Sequence, residues 1–194
     1  PGHSSAASDV YKRQLSTNTT GIDLTAIGSG ALASNTTANN NTAIGKDSLN
    51  ANTTGHSNVG LGKQSLRVNT TGDSNTSVGS FTLYANTTGS SNTALGRSAL
   101  EGNTTASNNT AIGYFSLKYT TTGSELTAVG NESLEANTTG AQNVALGFRA
   151  LTANTTADHN TAVGHETLAA NTTGTQNTAV GANALDANTT ANNN

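Results

Sequence analysis

A stretch of seventeen residues, NTAIGKDSLNANTTGHS at positions 41–57, recurs from Leu24 to the C-terminus without insertion or deletion. A glycine stands at one fixed position of each copy, and a leucine follows four residues later. An aliphatic residue precedes each glycine, and the triplet Asn-Thr-Thr begins three residues after each leucine, except where Thr120 replaces the asparagine. A fixed period with fixed apolar and glycine positions indicates that each repeat is one structural unit stacked on its neighbours.

The period and the residue types favour β-structure. Seventeen residues are too few for two packed helices, and the spacing of the two large apolar positions matches no helical face. β-Branched residues concentrate at Thr-Ala-Ile and at Asn-Thr-Thr, and each group is bounded by Gly, Asn or Ser, which is typical of strands between turns. We therefore predict an all-β fold, a parallel β-solenoid (β-roll) with one 17-residue coil per repeat. A leucine-rich repeat needs more leucines and a longer period.

Three columns of the repeat have predicted structural roles. Alternation along the strand places Thr42 and Ile44 on one face and Ala43 on the other, and we expect the Ile44 and Leu49 columns to meet inside the coil. The leucine column, predicted as a core ladder, comprises Leu32, Leu49, Leu66, Leu83, Leu100, Leu117, Leu134, Leu151, Leu168 and Leu185. The glycine column, predicted to turn the chain where φ is positive or the backbone passes close to a neighbour, comprises Gly28, Gly45, Gly62, Gly79, Gly96, Gly113, Gly130, Gly147, Gly164 and Gly181.

The chain divides into two unequal parts. Residues 1–14 do not fit the repeat, and Tyr11 stands where the period requires glycine. We interpret residues 1–14 as a non-native or disordered segment. Residues 15–194 are predicted to form one solenoid, a fragment of a longer array, because the chain stops at the first residue of another copy.

Composition excludes several classes of function. Charged residues are only 10% of the chain, the net charge is −3, and the eight Lys and Arg are scattered, so no basic stripe predicts nucleic-acid binding. No apolar run is long enough to cross a bilayer. Cysteine is absent, which removes disulfides and thiolate metal sites.

No catalytic, cofactor or metal site is predicted, and we expect the protein not to be an enzyme. The segment beginning at His165-Glu166 has Ala169 where a zinc-protease helix needs its second histidine. Asp47, Asp73 and Glu132 occupy different columns, so they form no repeated calcium ladder.

Each coil has only two large apolar side chains, worth about 1.5–3 kcal/mol each when buried. Ordering the backbone costs about 1–2 kcal/mol per residue. We therefore expect a face of the solenoid to be buried again between chains, in a homo-oligomer that is either a side-by-side assembly or an end-to-end fibre. A self-sufficient monomeric solenoid is the alternative.

The motif Asn-Thr-Ala-Ile-Gly, followed by Ser-Leu and Asn-Thr-Thr-Gly, resembles the head repeats of trimeric autotransporter adhesins, the YadA-like class, and similar repeats of phage tail fibres. The resemblance covers residues 15–194. It implies a left-handed parallel β-roll whose three chains pack about one axis, and a role in attachment to host surfaces or matrix. From it we expect an extracellular or cell-surface, structural and adhesive fibre domain with a surface, matrix or glycan ligand.

The Asn-Thr-Thr column has two interpretations. Each triplet is an N-x-[ST] acceptor sequence, so secretion through a eukaryotic pathway would predict one N-linked glycan per coil and a sugar-coated fibril. Asparagine also stacks well in polar ladders between repeated strands. The candidate acceptors are Asn18, Asn35, Asn52, Asn69, Asn86, Asn103, Asn137, Asn154, Asn171 and Asn188.

Two other functions remain as alternatives to the adhesive fibre: a phage tail-fibre segment and a lattice-matching, ice-binding solenoid. An ice-binding surface needs a flat outward array of threonine. Consecutive residues such as Thr36 and Thr37 are expected on opposite faces, which disfavours a paired array at Asn-Thr-Thr.

Overall fold

The computed structural model describes residues 13–194, which form an all-β structure without a helix. Ten three-residue strands make one parallel sheet whose strand order follows the sequence. The predicted parallel β-solenoid with one coil per 17 residues is therefore confirmed. The strands are β1 Thr25–Ile27, β2 Thr42–Ile44, β3 Val59–Leu61, β4 Thr76–Val78, β5 Thr93–Leu95, β6 Thr110–Ile112, β7 Thr127–Val129, β8 Val144–Leu146, β9 Thr161–Val163 and β10 Thr178–Val180.

Successive coils lie in register, each residue above its equivalent in the previous copy. In β2 and β3, Thr42 pairs with Val59 and Ile44 pairs with Leu61. Outside the strands, Leu49 N donates to the carbonyl of Ser65 at 3.0 Å, in the next coil. Because the period contains no insertion, the same ladder repeats along the whole array. Of the segment interpreted as non-native or disordered, residues 1–12 lie outside the described residues.

Each coil contains one strand, so the second strand expected at Asn-Thr-Thr is wrong. In that segment Thr53 N and Thr54 N both donate to the carbonyl of Thr70, at 3.0 and 3.2 Å. Consecutive N–H groups of an extended strand point in opposite directions and cannot share one acceptor. The triplet is therefore a bend, not a ladder strand.

The core contains the leucine column and the middle residue of each strand, whereas the Ile44 column faces outward. Ala43 and Leu49 are fully buried. The expectation that the Ile44 and Leu49 columns meet inside the coil is wrong because the interior is too thin. A Cβ built at Gly60, which replaces this alanine in β3, would lie 3.4 Å from Leu49 Cδ1 and 2.5 Å from Ser48 Oγ. Even a methyl group is tight at this position, and alanine fills it in eight of the ten strands, so no room is left for a second branched side chain.

Residues with positive φ turn the chain in each coil. Gly45 has φ 128°, and a Cβ there would lie 2.5 Å from the carbonyl oxygen of Gly62 in the next coil. Four residues later Leu49 adopts φ 49°, and every leucine of the core ladder has the same left-handed conformation. That conformation costs an ordinary L-residue about 1–2 kcal/mol. The solenoid accepts this cost because the turn directs the leucine side chain into the core.

Candidate functional site

The outer surface of the sheet is a continuous apolar and hydroxyl surface, which we name the Thr–aliphatic face. It consists of the first and third residues of the ten strands, whose middle residues point inward. The first residue is threonine in eight strands and valine in two, and the third is always Ile, Leu or Val. Its first file is Thr25, Thr42, Val59, Thr76, Thr93, Thr110, Thr127, Val144, Thr161 and Thr178, and its second is Ile27, Ile44, Leu61, Val78, Leu95, Ile112, Val129, Leu146, Val163 and Val180.

This face carries no charge, and its side chains make few polar contacts with the rest of the chain. Leu61 is 41% exposed and Leu95 is 46% exposed. Within residues 13–194 none of the threonine hydroxyls of the face makes a hydrogen bond. By contrast, the first threonine of every Asn-Thr-Thr bend except the last makes a side-chain hydrogen bond. For example, Thr53 Oγ1 donates to the carbonyl of Thr70 at 3.0 Å. The face therefore offers free hydroxyls beside apolar side chains.

The Asn-Thr-Thr column lies inside the coil. Asn69 is fully buried, and its Nδ2 donates to Asn52 Oδ1 at 2.8 Å and to the carbonyl of Gly72 at 2.9 Å. Both amide hydrogens are thus used, and the same arrangement recurs at the buried candidates Asn35, Asn52, Asn86, Asn103, Asn154 and Asn171. Asn137 is buried too, while the partly exposed Asn18 and Asn188 lie in the first and last coils. In the folded coil the buried members of this column have no amide hydrogen left for a glycan, and the polar-ladder interpretation accounts for them.

A second asparagine ladder, which the sequence analysis did not identify, lies at the residue preceding each strand. Asn58 N donates to Asn41 Oδ1 at 2.8 Å, and Asn58 Nδ2 donates to the carbonyl of Gly72 at 2.8 Å. The regular recurrence of asparagine at this position is the sequence feature from which this second ladder could have been predicted. Leucine replaces it before β1 and before β7, at Leu24 and at the buried Leu126.

The predicted leucine and glycine columns occupy distinct places. The leucines from Leu32 to Leu168 are fully buried, whereas Leu185 is 40% exposed in the last coil, where no further coil of this chain covers it. All ten glycines of the predicted turn column have φ between 121° and 141°. These columns build the scaffold and do not reach the Thr–aliphatic face.

The variable columns decorate a different surface of the solenoid. Lys46, Tyr114, Phe148 and His165 are exposed, and Phe81 is half-buried. Phe148 stacks on His165 of the next coil with ring centroids 5.2 Å apart. On this surface, the close spacing of successive coils brings side chains of neighbouring repeats into contact.

Charges in these columns also interact between coils. Arg149 Nε lies 3.4 Å from Glu132 Oε2, and Arg149 Nη1 lies 3.5 Å from Glu166 Oε1. Such exposed pairs contribute about 0–1 kcal/mol. The pKa of the Glu135 carboxyl is raised, mainly by burial and further by the negative charge of Glu132.

Within residues 13–194 no group of three or more His, Asp or Glu side chains could hold a metal ion. The described part of the chain also contains no helix with the length and apolarity needed to cross a membrane. Comparison with protein families, curated proteins and solved structures found no match to this chain.

Proposed function

We propose that this protein is a non-enzymatic, structural repeat domain of an extracellular adhesive fibre, and that its chains associate through the Thr–aliphatic face. The observation that carries this proposal is the unbroken, uncharged face along all ten strands. Strands about 4.8 Å apart and three residues wide give a strip on the order of 400 Å². The largest apolar patch of a typical monomer covers about 300–600 Å² and is often functional, so a strip of this size is a candidate interaction surface.

The thin core supports the proposal energetically. Each coil buries one leucine and one residue no larger than alanine or serine in its strand, while the other large aliphatic side chain remains outside. Burying that side chain against a partner removes apolar area from water at about 25 cal/mol per Å². Association therefore supplies a part of the stabilisation that the isolated coil lacks.

A second copy of the same chain is the occupant that best fits the face. Two identical uncharged faces meet without electrostatic repulsion, and the free hydroxyls of one strip can bond to those of the other. The interface grows with each added repeat, because every coil contributes one Thr-x-aliphatic unit. Longer arrays therefore associate more strongly, which suits a fibre.

The extracellular location and the attachment role come from the resemblance of the repeats to adhesin heads. Glycans on the Asn-Thr-Thr column are not part of this proposal, since the folded coil uses both amide hydrogens of residues such as Asn69. The trimer implied by the resemblance is one assembly that would bury the face. A phage tail-fibre segment would use the same packing.

Sedimentation velocity over a concentration series tests the association. We expect the protein to form an oligomer and the double variant Leu95→Lys/Ile112→Lys to be monomeric. Burying lysine ammonium groups of the Thr–aliphatic face between chains would cost too much desolvation free energy. Thr105→Lys/Thr122→Lys is the matched control in the same two coils, at exposed bend residues away from the face. A monomeric wild type at every concentration would overturn the proposal, as would unchanged association of the face variant.

A lattice-matching function is the second candidate, and one observation favours it. The free threonine hydroxyls of the face form a file at the single-coil spacing beside a file of apolar side chains. This array lies in the strands and not at the Asn-Thr-Thr bend. Inhibition of ice recrystallisation by the monomer, lost in Leu95→Lys/Ile112→Lys, would support this function over chain packing.

A further inference from the structure

Aromatic residues are concentrated in one short part of the solenoid. The chain contains four tyrosines and three phenylalanines, and five of these seven lie within residues 81–119. Four cations stand among them, each within 6 Å of a ring centroid: Lys63, Arg67, Arg97 and Lys118. The corresponding columns of the other coils carry mostly small, polar or charged residues, with Phe148 as the one aromatic residue among them, so this cluster is the main concentration of aromatic side chains in the array.

The cluster encloses two adjoining recesses. The first has a volume of about 250 Å³ and lies between Tyr84 and Tyr119, with Ala85 and Gly102 beside them and Glu101 and Lys118 completing the lining. The second has a volume of about 300 Å³, and its lining includes Phe81, Arg97 and Phe115. Glu101 and Lys118 line both recesses. A ligand with two linked rings could therefore occupy both and contact the same charged pair.

Departures from the repeat create the first recess. Tyr119 stands in a column where most coils have alanine, and Gly102 stands there in the preceding coil. A Cβ at Gly102 would lie 2.9 Å from the carbonyl oxygen of Lys118 and 3.3 Å from that of Thr120, so the backbones approach closely beside the tyrosine. The next residue, Thr120, interrupts the asparagine ladder and leaves Asn103 Oδ1 buried without a hydrogen bond. The altered coil thus carries a stability cost, which is typical of functional positions.

The tyrosine hydroxyls are fixed by neighbouring cations. Lys118 Nζ donates to Tyr119 Oη at 2.9 Å, and Arg67 Nη1 donates to Tyr84 Oη at 2.8 Å. The hydrogen bond to Tyr119 raises the pKa of Lys118, so the ammonium group stays charged. These contacts hold the two rings in place before any ligand arrives, which reduces the ordering cost of binding.

Glu101 supplies a free acceptor between the recesses. Its carboxylate makes no hydrogen bond to another residue of 13–194, and it acts on Lys118 through its charge. An ionised carboxylate accepts several hydrogen bonds, whereas an ammonium group only donates. The site therefore combines apolar ring surfaces with one strong acceptor, Glu101, and two cationic donors, Lys118 and Arg97.

We propose that these recesses bind a neutral oligosaccharide, with consecutive pyranose rings in the two cavities. A pyranose has apolar C–H surfaces that pack against aromatic rings and hydroxyls that donate to Glu101 and accept from Lys118. The first recess is smaller than pockets for drug-sized ligands, about 300–1,000 Å³, and suits one sugar ring. The lining carries both signs of charge, Glu101 beside Lys118 and Arg97, so the hydroxyls of a neutral sugar find an acceptor as well as donors. The role of this site in attaching the fibre rests on the proposed function. The binding of the oligosaccharide does not.

Affinity electrophoresis of the full chain tests the site, in gels containing xyloglucan, galactomannan, mixed-linkage β-glucan or dextran, with alginate as the anionic comparison. We expect retardation by at least one neutral polysaccharide. Tyr119→Ala introduces the residue most common in that column, so the coil should still fold, and Glu101→Gln keeps the shape of the side chain. Each should weaken binding about tenfold or more. Phe148→Ala, at an exposed aromatic outside the recesses, should bind normally.

Three outcomes would overturn the proposal: no retardation in any neutral gel, retardation by alginate alone, or unchanged retardation of Tyr119→Ala. The face variant Leu95→Lys/Ile112→Lys separates this test from that of fibre formation. If it loses self-association and keeps sugar binding, the two properties are independent. If the wild-type protein binds sugar but does not self-associate, only the proposal of a fibre is contradicted.

Discussion

Thr120 shows how one residue affects its neighbours in a stacked array. Every other copy has asparagine in this column. Thr120 has no amide group to donate to Asn103 Oδ1 in the preceding coil, so this buried oxygen has no hydrogen bond. In the following coil, Asn137 Nδ2 donates to Thr120 Oγ1 over a long distance of 3.5 Å. A buried polar group left without a partner costs about 1–3 kcal/mol. The sequence reveals the exception, but its consequence follows only from the position of the column inside the coil.

We predict that Thr120→Asn raises the free energy of unfolding by about 1–3 kcal/mol, because its amide would donate to Asn103 Oδ1. Chemical denaturation compares the variant with wild type. Thr121→Asn is the matched control at the next residue and should not stabilise, since Thr121 Oγ1 already donates to the carbonyl of Thr138 at 3.1 Å. An unchanged or lower stability of Thr120→Asn would contradict the ladder interpretation.

At the scale of the coil, the turn glycine and the following leucine act together. Gly79 has φ 132°, and Leu83 returns the chain with φ 48° and a buried side chain. A Cβ at Gly79 would lie 2.8 Å from the carbonyl oxygen of Gly96 and 2.9 Å from its carbon. Both the conformation and the stacking distance therefore require glycine at this corner.

Gly79→Ala is predicted to lower the free energy of unfolding by about 3 kcal/mol, the upper range for a residue forced into a sparsely populated conformation. Gly89→Ala is the matched control in the same coil. A Cβ at Gly89 would press against the carbonyl oxygen of Ala106, but Gly89 lacks the positive φ of the corner. Alanine occupies the equivalent position at Ala38, Ala106 and Ala157, so this change should cost less than Gly79→Ala. Equal losses in the two variants, measured by thermal unfolding, would show that the corner is not specific for glycine.

In the whole molecule, stability is transmitted between adjacent coils. Each strand pairs only with the strands before and after it, and nearly all strand contacts follow the same order. A quasi-one-dimensional array of this kind has nearest-neighbour energetics. Damage in one coil should therefore remain local, unlike damage in a globular core.

We predict that Leu117→Ala, at a fully buried position of the core ladder, costs about 2–5 kcal/mol. Hydrogen exchange should show lost amide protection in β5–β7 and retained protection in β1–β3. Leu185→Ala, at a leucine that is 40% exposed, is the control and should have a smaller effect. A uniform loss of protection along the array would contradict nearest-neighbour behaviour.

The sequence alone determined the period, the parallel solenoid and the glycine corners, because a uniform 17-residue repeat can stack only residue upon equivalent residue. It did not determine the direction of the side chains. Alternation along the strand allows either Ile44 or Ala43 to face inward, and the thin interior beside Leu49 decided for alanine.

The tertiary structure also decided the roles of the asparagine columns and of the surface. Burial and both amide hydrogen bonds make Asn69 a ladder residue, which its acceptor motif could not show. The Thr–aliphatic face and the Tyr84–Tyr119 recess arise from residues 17 or more positions apart. Stacking brings such residues together, so only the folded array places them at one surface.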